Sequence, residues 1–245
     1  MIPKANTMDT LLWVALPYIA FTVLVVGLIL RRRYDNFGWT SRSSQLYEGR
    51  LLRIASPLFH FGLLAVIGGH IVGLLIPESF TAWLGLSERQ YHLTAVGAGG
   101  VAGIATLAGA VLLIYRRRTV GSVFAATTKN DKAMWVFLLG AISLGLLTTF
   151  MGSGAIGKAH NYRADVSPWL RSILFFNPKP ELMAGAPLSY RVHVISTMLL
   201  FMIWPFTRLV HALSAPAKYL FRPYVIYRSK DSHGLGNREI QRRGW

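Results

Sequence analysis

The chain has 245 residues, of which 53% are hydrophobic and only 15% charged, with a mean hydropathy of +0.40; soluble domains carry roughly 25% charged residues, so an ordinary soluble globular domain is excluded. There is no cysteine, which excludes disulfides, thiolate metal sites, cysteine-held iron–sulfur clusters and C-x-x-C-H haem attachment. The net charge of +16 raises a nucleic-acid reading, which the placement of the charges removes.

A membrane-crossing helix needs about 20 mostly apolar residues, and five such runs are present. The first, 10–30, is followed by Arg31, Arg32 and Arg33. It is too long for a signal peptide, has no A-x-A-like site after it, and reads as a stop-transfer anchor. A polar loop over 34–53 leads to the second run, 54–75, with Pro57 expected in the first helical turn. Pro77, Glu78 and Ser79 close it, and Ser87, Glu88, Arg89 and Gln90 lead into the third run, 92–115. This run is rich in small residues, and Gly99-x-x-x-Gly103 offers a close-packing face. The fourth run, 134–150, is the shortest. A connection over 152–189 with four prolines follows, and its apolar patch 169–176 is expected along the membrane surface. The fifth run, 192–213, carries Pro205, an expected kink.

The basic residues alternate along this chain. Of 26 Lys and Arg, six lie in 31–53, five in 116–132 and eight in 208–243, which makes 19, and seven lie elsewhere. Alternate enrichment is the positive-inside pattern. It predicts an N-terminus outside and a C-terminus in the cytoplasm, and it accounts for the net charge without nucleic acid. The expected fold is an all-α membrane protein: a bundle of five transmembrane helices over residues 1–220, surrounded by lipid, with a basic cytoplasmic tail over 221–245.

Four of seven histidines fall inside the runs away from their extreme ends: His60, His70, His193 and His211. An ionisable residue at membrane depth is costly and points to function, although a single one often just donates to a neighbouring carbonyl. At ~100° and ~1.5 Å per residue, His193 and His211 share one helix face, ~27 Å apart. By the same arithmetic, His60 and His70 are ~80° apart around their helix and ~15 Å along it. With the two helices antiparallel, His60 and His211 meet at the cytoplasmic end and His70 and His193 at the outer end. Two stacked pairs are what two haems sandwiched between helices require, and double axial ligation favours electron transfer over oxygen chemistry. The unequal separations leave ~12 Å for helix tilt, the Pro205 kink and tilted haem planes to absorb. Gly69, beside His70, leaves room for a flat macrocycle or simply packs a helix. Arg191 and Arg208 flank the ligands at opposite ends, as propionate partners or as snorkelling interfacial arginines. Arg89, Gln90 and His92 bring polar side chains to the outer level. His160 and His233 lie in loops and are expected to be solvated.

The chain resembles the cytochrome b (gamma) subunit of respiratory nitrate reductase. The resemblance rests on Ser56-Pro-Leu-Phe-His60-Phe-Gly, Gly69-His70, Tyr190-Arg-Val-His193 and Pro205-Phe-Thr-Arg-Leu-Val-His211. Pro216-x-x-Tyr219 and Ser43-Ser44-Gln45 add to it. It implies two b haems as cofactors, held by His60 with His211 and by His70 with His193. It also implies quinol (menaquinol or ubiquinol) oxidised at the outer side, with electrons passing inward to a cytoplasmic iron–sulfur subunit and a molybdenum-containing catalytic subunit, in a prokaryotic inner membrane. No catalytic residue for nitrate itself is expected in this chain. Arg89, Gln90 and His92 are the expected quinol contacts. Two alternatives remain open: a cytochrome of a heterodisulfide- or sulfite-linked complex, and a histidine-relay transporter, which the lack of Asp or Glu in mid-span disfavours.

Overall fold

The computed structural model describes residues 6–35, 37–39, 43–156 and 158–213, so the tail, Pro216, Tyr219 and His233 lie outside the described residues. Five helices are long and apolar enough to cross a membrane: α1 (Thr7–Tyr34), α2 (Arg50–Leu75), α4 (Glu88–Thr119), α6 (Lys129–Gly152) and α9 (Leu188–Phe206). Between them lie the short helices α3 (Glu78–Trp83), α5 (Gly121–Ala125), α7 (Val166–Leu174) and α8 (Pro180–Ala184). Large apolar side chains such as Val101, Val136 and Ile54 are more than 60% exposed. A helix keeps its backbone polar groups paired in hydrocarbon, so such a surface suits lipid contact.

The helix starts are written in the sequence. Asn6 with Asp9, Ser87 with Gln90, and Thr128 with Asp131 each form a reciprocal capping box at the starts of α1, α4 and α6, satisfying donors that a helix end leaves unpaired. Pro57 sits well inside α2 rather than in its first turn, because the helix begins at Arg50. The polar residues before the apolar run extend the helix beyond the membrane core.

Close packing between α2 and α4 depends on glycine. A Cβ at Gly109 would lie 2.5 Å from the Phe59 backbone nitrogen, and one at Gly62 would lie 2.7 Å from Thr106 Oγ1. The expected Gly99-x-x-x-Gly103 face is only half used. Gly103 abuts Leu146 of α6, whereas nothing lies within 4 Å of a Cβ at Gly99.

The apolar patch of the 152–189 connection does not lie flat on the surface. Trp169 and Ile173 of α7 are each 1% exposed and pack with Trp13, Ala20 and Met198, while Phe175 and Phe176 stay exposed. The reason is hydrogen bonding as well as area. Pro17 cannot donate to the Trp13 carbonyl four residues back, and Trp169 Nε1 donates to that oxygen at 2.9 Å. α2 ends in a π-helical turn, Ile71–Leu75. Its Gly73 and Leu74 carbonyls accept from Ser167 Oγ and Arg171 Nη1, both at 2.9 Å. The connection thereby closes one end of the bundle.

At the opposite end, the buried Arg116 guanidinium donates to the carboxylate and carbonyl of Glu48 and to Ser44. Burial draws the Glu48 carboxyl up, but the Leu51 N–H and Arg116 outweigh this and hold it below its ordinary value.

Candidate functional site

The histidine rings meet in twos. His60 and His211 have ring centres 6.1 Å apart, and His70 and His193 have ring centres 6.2 Å apart. A metal–imidazole bond of ~2 Å plus ~1.1 Å from nitrogen to ring centre places two rings across one metal at ~6 Å. Both pairs therefore have the spacing of axial ligands on opposite sides of one ion. No group of three or more His, Cys, Asp or Glu converges among the described residues, so each pair offers an ion two imidazoles.

The fifth helix supplies what a straight helix could not. Its α-helical part stops at Ile203; Trp204–Phe206 is a 3-10 turn, Thr207 is extended, and Arg208–Leu213 is a second 3-10 turn. Pro205 thus gives a break rather than a kink. The ~27 Å separation expected of an unbroken helix therefore does not describe this backbone, and His211 meets His60 all the same.

The other ring nitrogen of three histidines is tied down. His60 Nδ1 lies 2.7 Å from the Ser56 carbonyl, His70 Nδ1 2.8 Å from Val66 and His211 Nδ1 2.6 Å from Arg208. Donation of Nδ1–H to a carbonyl fixes the tautomer that leaves the Nε2 lone pair free for a metal. His193 differs: its Nδ1 is buried without a hydrogen-bond partner. Beside the ring stands Gly145, where a Cβ would fall 2.8 Å from His193 Cε1.

The flanking residues divide. Arg208 is committed to Asp131, with Nε 2.6 Å from Oδ1 and Nη2 2.5 Å from Oδ2. This bidentate pair anchors the turn carrying His211. Arg191 keeps a buried Nε without a partner, which suits an anion. It lies two residues from His193, however, ~200° around the helix. Nothing lies within 4 Å of a Cβ at Gly69 or Gly68, so open space adjoins His70.

Of the expected quinol contacts, Gln90 is occupied in capping: its Oε1 accepts from the Ser87 amide and hydroxyl. Arg89 is exposed and His92 half-buried. His160 is not simply solvated, since its side chain is 25% exposed with Nε2 2.9 Å from Asp165 Oδ2. A groove of about 950 Å³ lined by residues including Val26, Arg31, Lys129, Pro205 and Arg208 lies elsewhere, and none of the four paired histidines lines it.

The fold and these pairs define a multi-pass helical membrane protein with two facing histidine sites. The sequence model of the family described as nitrate reductase gamma subunit matches residues 9–230, and the chain belongs to that family. It is 44% identical to the nitrate reductase gamma chain of Bacillus subtilis (strain 168) over 90% of this chain and 98% of that one. It is 37% identical to the respiratory nitrate reductase 2 gamma chain of Escherichia coli (strain K12), over 87% of this chain and 94% of that one. It is also 58% identical to the nitrate reductase-like protein NarX of Mycobacterium tuberculosis (strain ATCC 25618 / H37Rv) over 98% of this chain, but spans only 36% of that protein.

Proposed function

We propose that the chain is the quinol-oxidising dihaem cytochrome b subunit of a respiratory nitrate reductase in a prokaryotic cell membrane. The observation that carries this reading is the spacing of the two histidine pairs, 6.1 and 6.2 Å between ring centres. When bound, two b haems supply one-electron transfer from the outer pair, His70 and His193, to the inner pair, His60 and His211. The protein's own part is to hold four Nε2 atoms in position, three of them with the tautomer set by a backbone carbonyl, in a bundle whose lipid-facing surface is apolar.

In this reading residues 1–220 form the membrane unit with the N-terminus outside, and 221–245 form a basic tail in the cytoplasm, on the side of an iron–sulfur subunit and a molybdenum-containing subunit. The 19-to-seven division of basic residues supports that orientation. Quinol, as menaquinol or ubiquinol, reaches the outer pair from the lipid. Arg89 and His92 lie near the outer start of α4, and Gly69 leaves space beside His70. The nitrate reductase names of the relatives favour a nitrate complex over a heterodisulfide- or sulfite-linked one. Histidines meeting in twos, with no group of three or more His, Cys, Asp or Glu among the described residues, disfavour a histidine-relay transporter that passes metal.

The test is to purify the complex from membranes, record its reduced-minus-oxidised spectrum, and add menadiol. Two non-covalent b haems per chain, reduced by menadiol and reoxidised by nitrate, are expected. A colourless chain, or haem that menadiol does not reduce, overturns the proposal.

A further inference from the structure

The outer connection does more than close the bundle, because it brings a set of titratable side chains to within a turn of the outer histidine pair. Tyr162 Oη lies 3.0 Å from Tyr91 Oη, at the start of α4. It also lies 2.6 Å from where a Cβ at Gly73 would be, and Gly73 is three residues past His70. Tyr190, three residues before His193, faces the His160 ring at 5.1 Å and the Tyr162 ring at 6.4 Å between centres. Three residues of helix rise only ~4.5 Å, so both ligand helices carry this cluster one turn beyond their histidines.

Within the cluster, His160 and Asp165 form a dyad with Nε2 2.9 Å from Oδ2. Asp165 Oδ1 accepts from the Val166 amide at 2.6 Å, which fixes the carboxylate. The His160 amide donates to the Gly152 carbonyl at 3.0 Å, which fixes the other half against α6. The contact is electrostatic, since Nε2 meets no partner in hydrogen-bond geometry among the described residues; a carboxylate this close stabilises the imidazolium that forms when the other nitrogen accepts a proton. None of the electron-carrying geometry uses it.

We propose that His160 is the general base that takes the protons of quinol at the outer site, that Asp165 is its positioning residue, and that the Tyr91–Tyr162 hydroxyl pair orients the quinol oxygen. The inference rests on the quinol-oxidising reading given above. Oxidation of one hydroquinone to quinone breaks two O–H bonds and gives up two electrons and two protons. The electrons leave one at a time to the oxidised b haems of that reading. The first proton goes to His160 Nδ1, and after its loss to the outer water the same nitrogen takes the second. The quinone then departs into lipid through the open space beside Gly68 and Gly69.

The electrostatics agree. Burial pushes the Asp165 carboxyl up, against the pull of Val166 N–H and His160. Burial and Tyr91 push the Tyr162 hydroxyl well above its ordinary value, so it stays protonated and serves to orient rather than to ionise. The other groups around the base are Tyr190 on α9 and Arg163 in the outer connection. Arg163 lies 3.9 Å from the centre of the Tyr91 ring and 3.4 Å from Glu88 Oε2 on α4. The Arg163 charge is thus directed at Tyr91, Glu88 and Thr81, leaving Asp165 as the counter-ion of His160.

The test uses the whole complex in membrane vesicles, with menadiol as the probe, haem reduction as the rate, and dithionite to count haem. His160→Gln should slow reduction by about 100-fold, the ordinary worth of a general base. Its rate should lose the rise with pH shown by the parent, and dithionite should still reduce both haems fully. Free imidazole should restore reduction in His160→Gly. Asp165→Asn should move the midpoint of the rise to lower pH, because the imidazolium loses its counter-ion. Parental rate and pH profile in His160→Gln overturn the inference. So does loss of the outer haem in both His160→Gln and Asp165→Asn, which makes the dyad a structural brace. If menadiol fails to reduce the parent complex, the quinol-oxidising reading itself falls, a result separate from either.

Discussion

Gly145 stands against His193, the paired histidine whose Nδ1 lacks a backbone partner, and its replacement by alanine isolates the role of that ring. The added methyl would lie 2.8 Å from His193 Cε1, 3.3 Å from Nε2 and 3.4 Å from Nδ1. Ordinary carbon–carbon contact begins at ~3.5 Å, so the ring has to move by ~0.7 Å, and a ligand site tolerates only ~0.5 Å. Overpacking costs about 1–3 kcal/mol. Charged wholly to the ligated state, at 1.4 kcal/mol per tenfold, that is a ~5- to 150-fold loss of outer-haem affinity. Alanine meanwhile improves helix propensity by up to ~1 kcal/mol, so the chain should accumulate normally while losing haem. Gly140→Ala, on the same helix with nothing within 4 Å of its Cβ, is the control and should keep both haems. Redox-titrated difference spectra read the result. Two haems at parental stoichiometry and unchanged potentials in Gly145→Ala refute the reasoning.

Arg208→Ala should leave Asp131 buried without its charge partner and destabilise the chain by about 3–5 kcal/mol. The inner haem should be lost before the outer in a thermal melt followed at the haem band, because the freed turn carries His211. Glu48 is held below its ordinary value, so its contact with Arg116 contributes stability above the normal carboxylate range and loses it as pH falls through the lowered value. Glu48→Gln should therefore flatten the acid limb of a detergent-solubilised melting curve recorded from pH 7 to pH 3. A reporter fused after Trp245 should be active only in its cytoplasmic form, and an N-terminal tag should be labelled in sealed cells; the reverse pattern inverts the assigned orientation.

The five helices were legible because apolar length is a direct signal in a chain with so few charges. The four histidines were legible because intramembrane ionisable groups are rare. The pairing followed from antiparallel order and spacing. What spacing alone misjudged was α9, where helical arithmetic extended a rise through Pro205 and Thr207 that the backbone does not follow. Pro57 was misplaced for a related reason, since hydropathy marks the lipid core and not the helix end. Trp169 and Ile173 read as a surface patch because nothing local announces that the Trp13 carbonyl needs a donor 156 residues away. The same blindness to long-range contacts hid Gly145 and the His160–Asp165 dyad.

The central claim is that four histidines hold two haems in two pairs, and the direct measurement is haem stoichiometry and redox titration of His60→Ala, His70→Ala, His193→Ala and His211→Ala. The account predicts that His60→Ala and His211→Ala lose the same one of two b-haem components. His70→Ala and His193→Ala should lose the other, each leaving one haem per chain. Loss of both components in every variant, retention of both in any, or losses that pair His60 with His193 would contradict it.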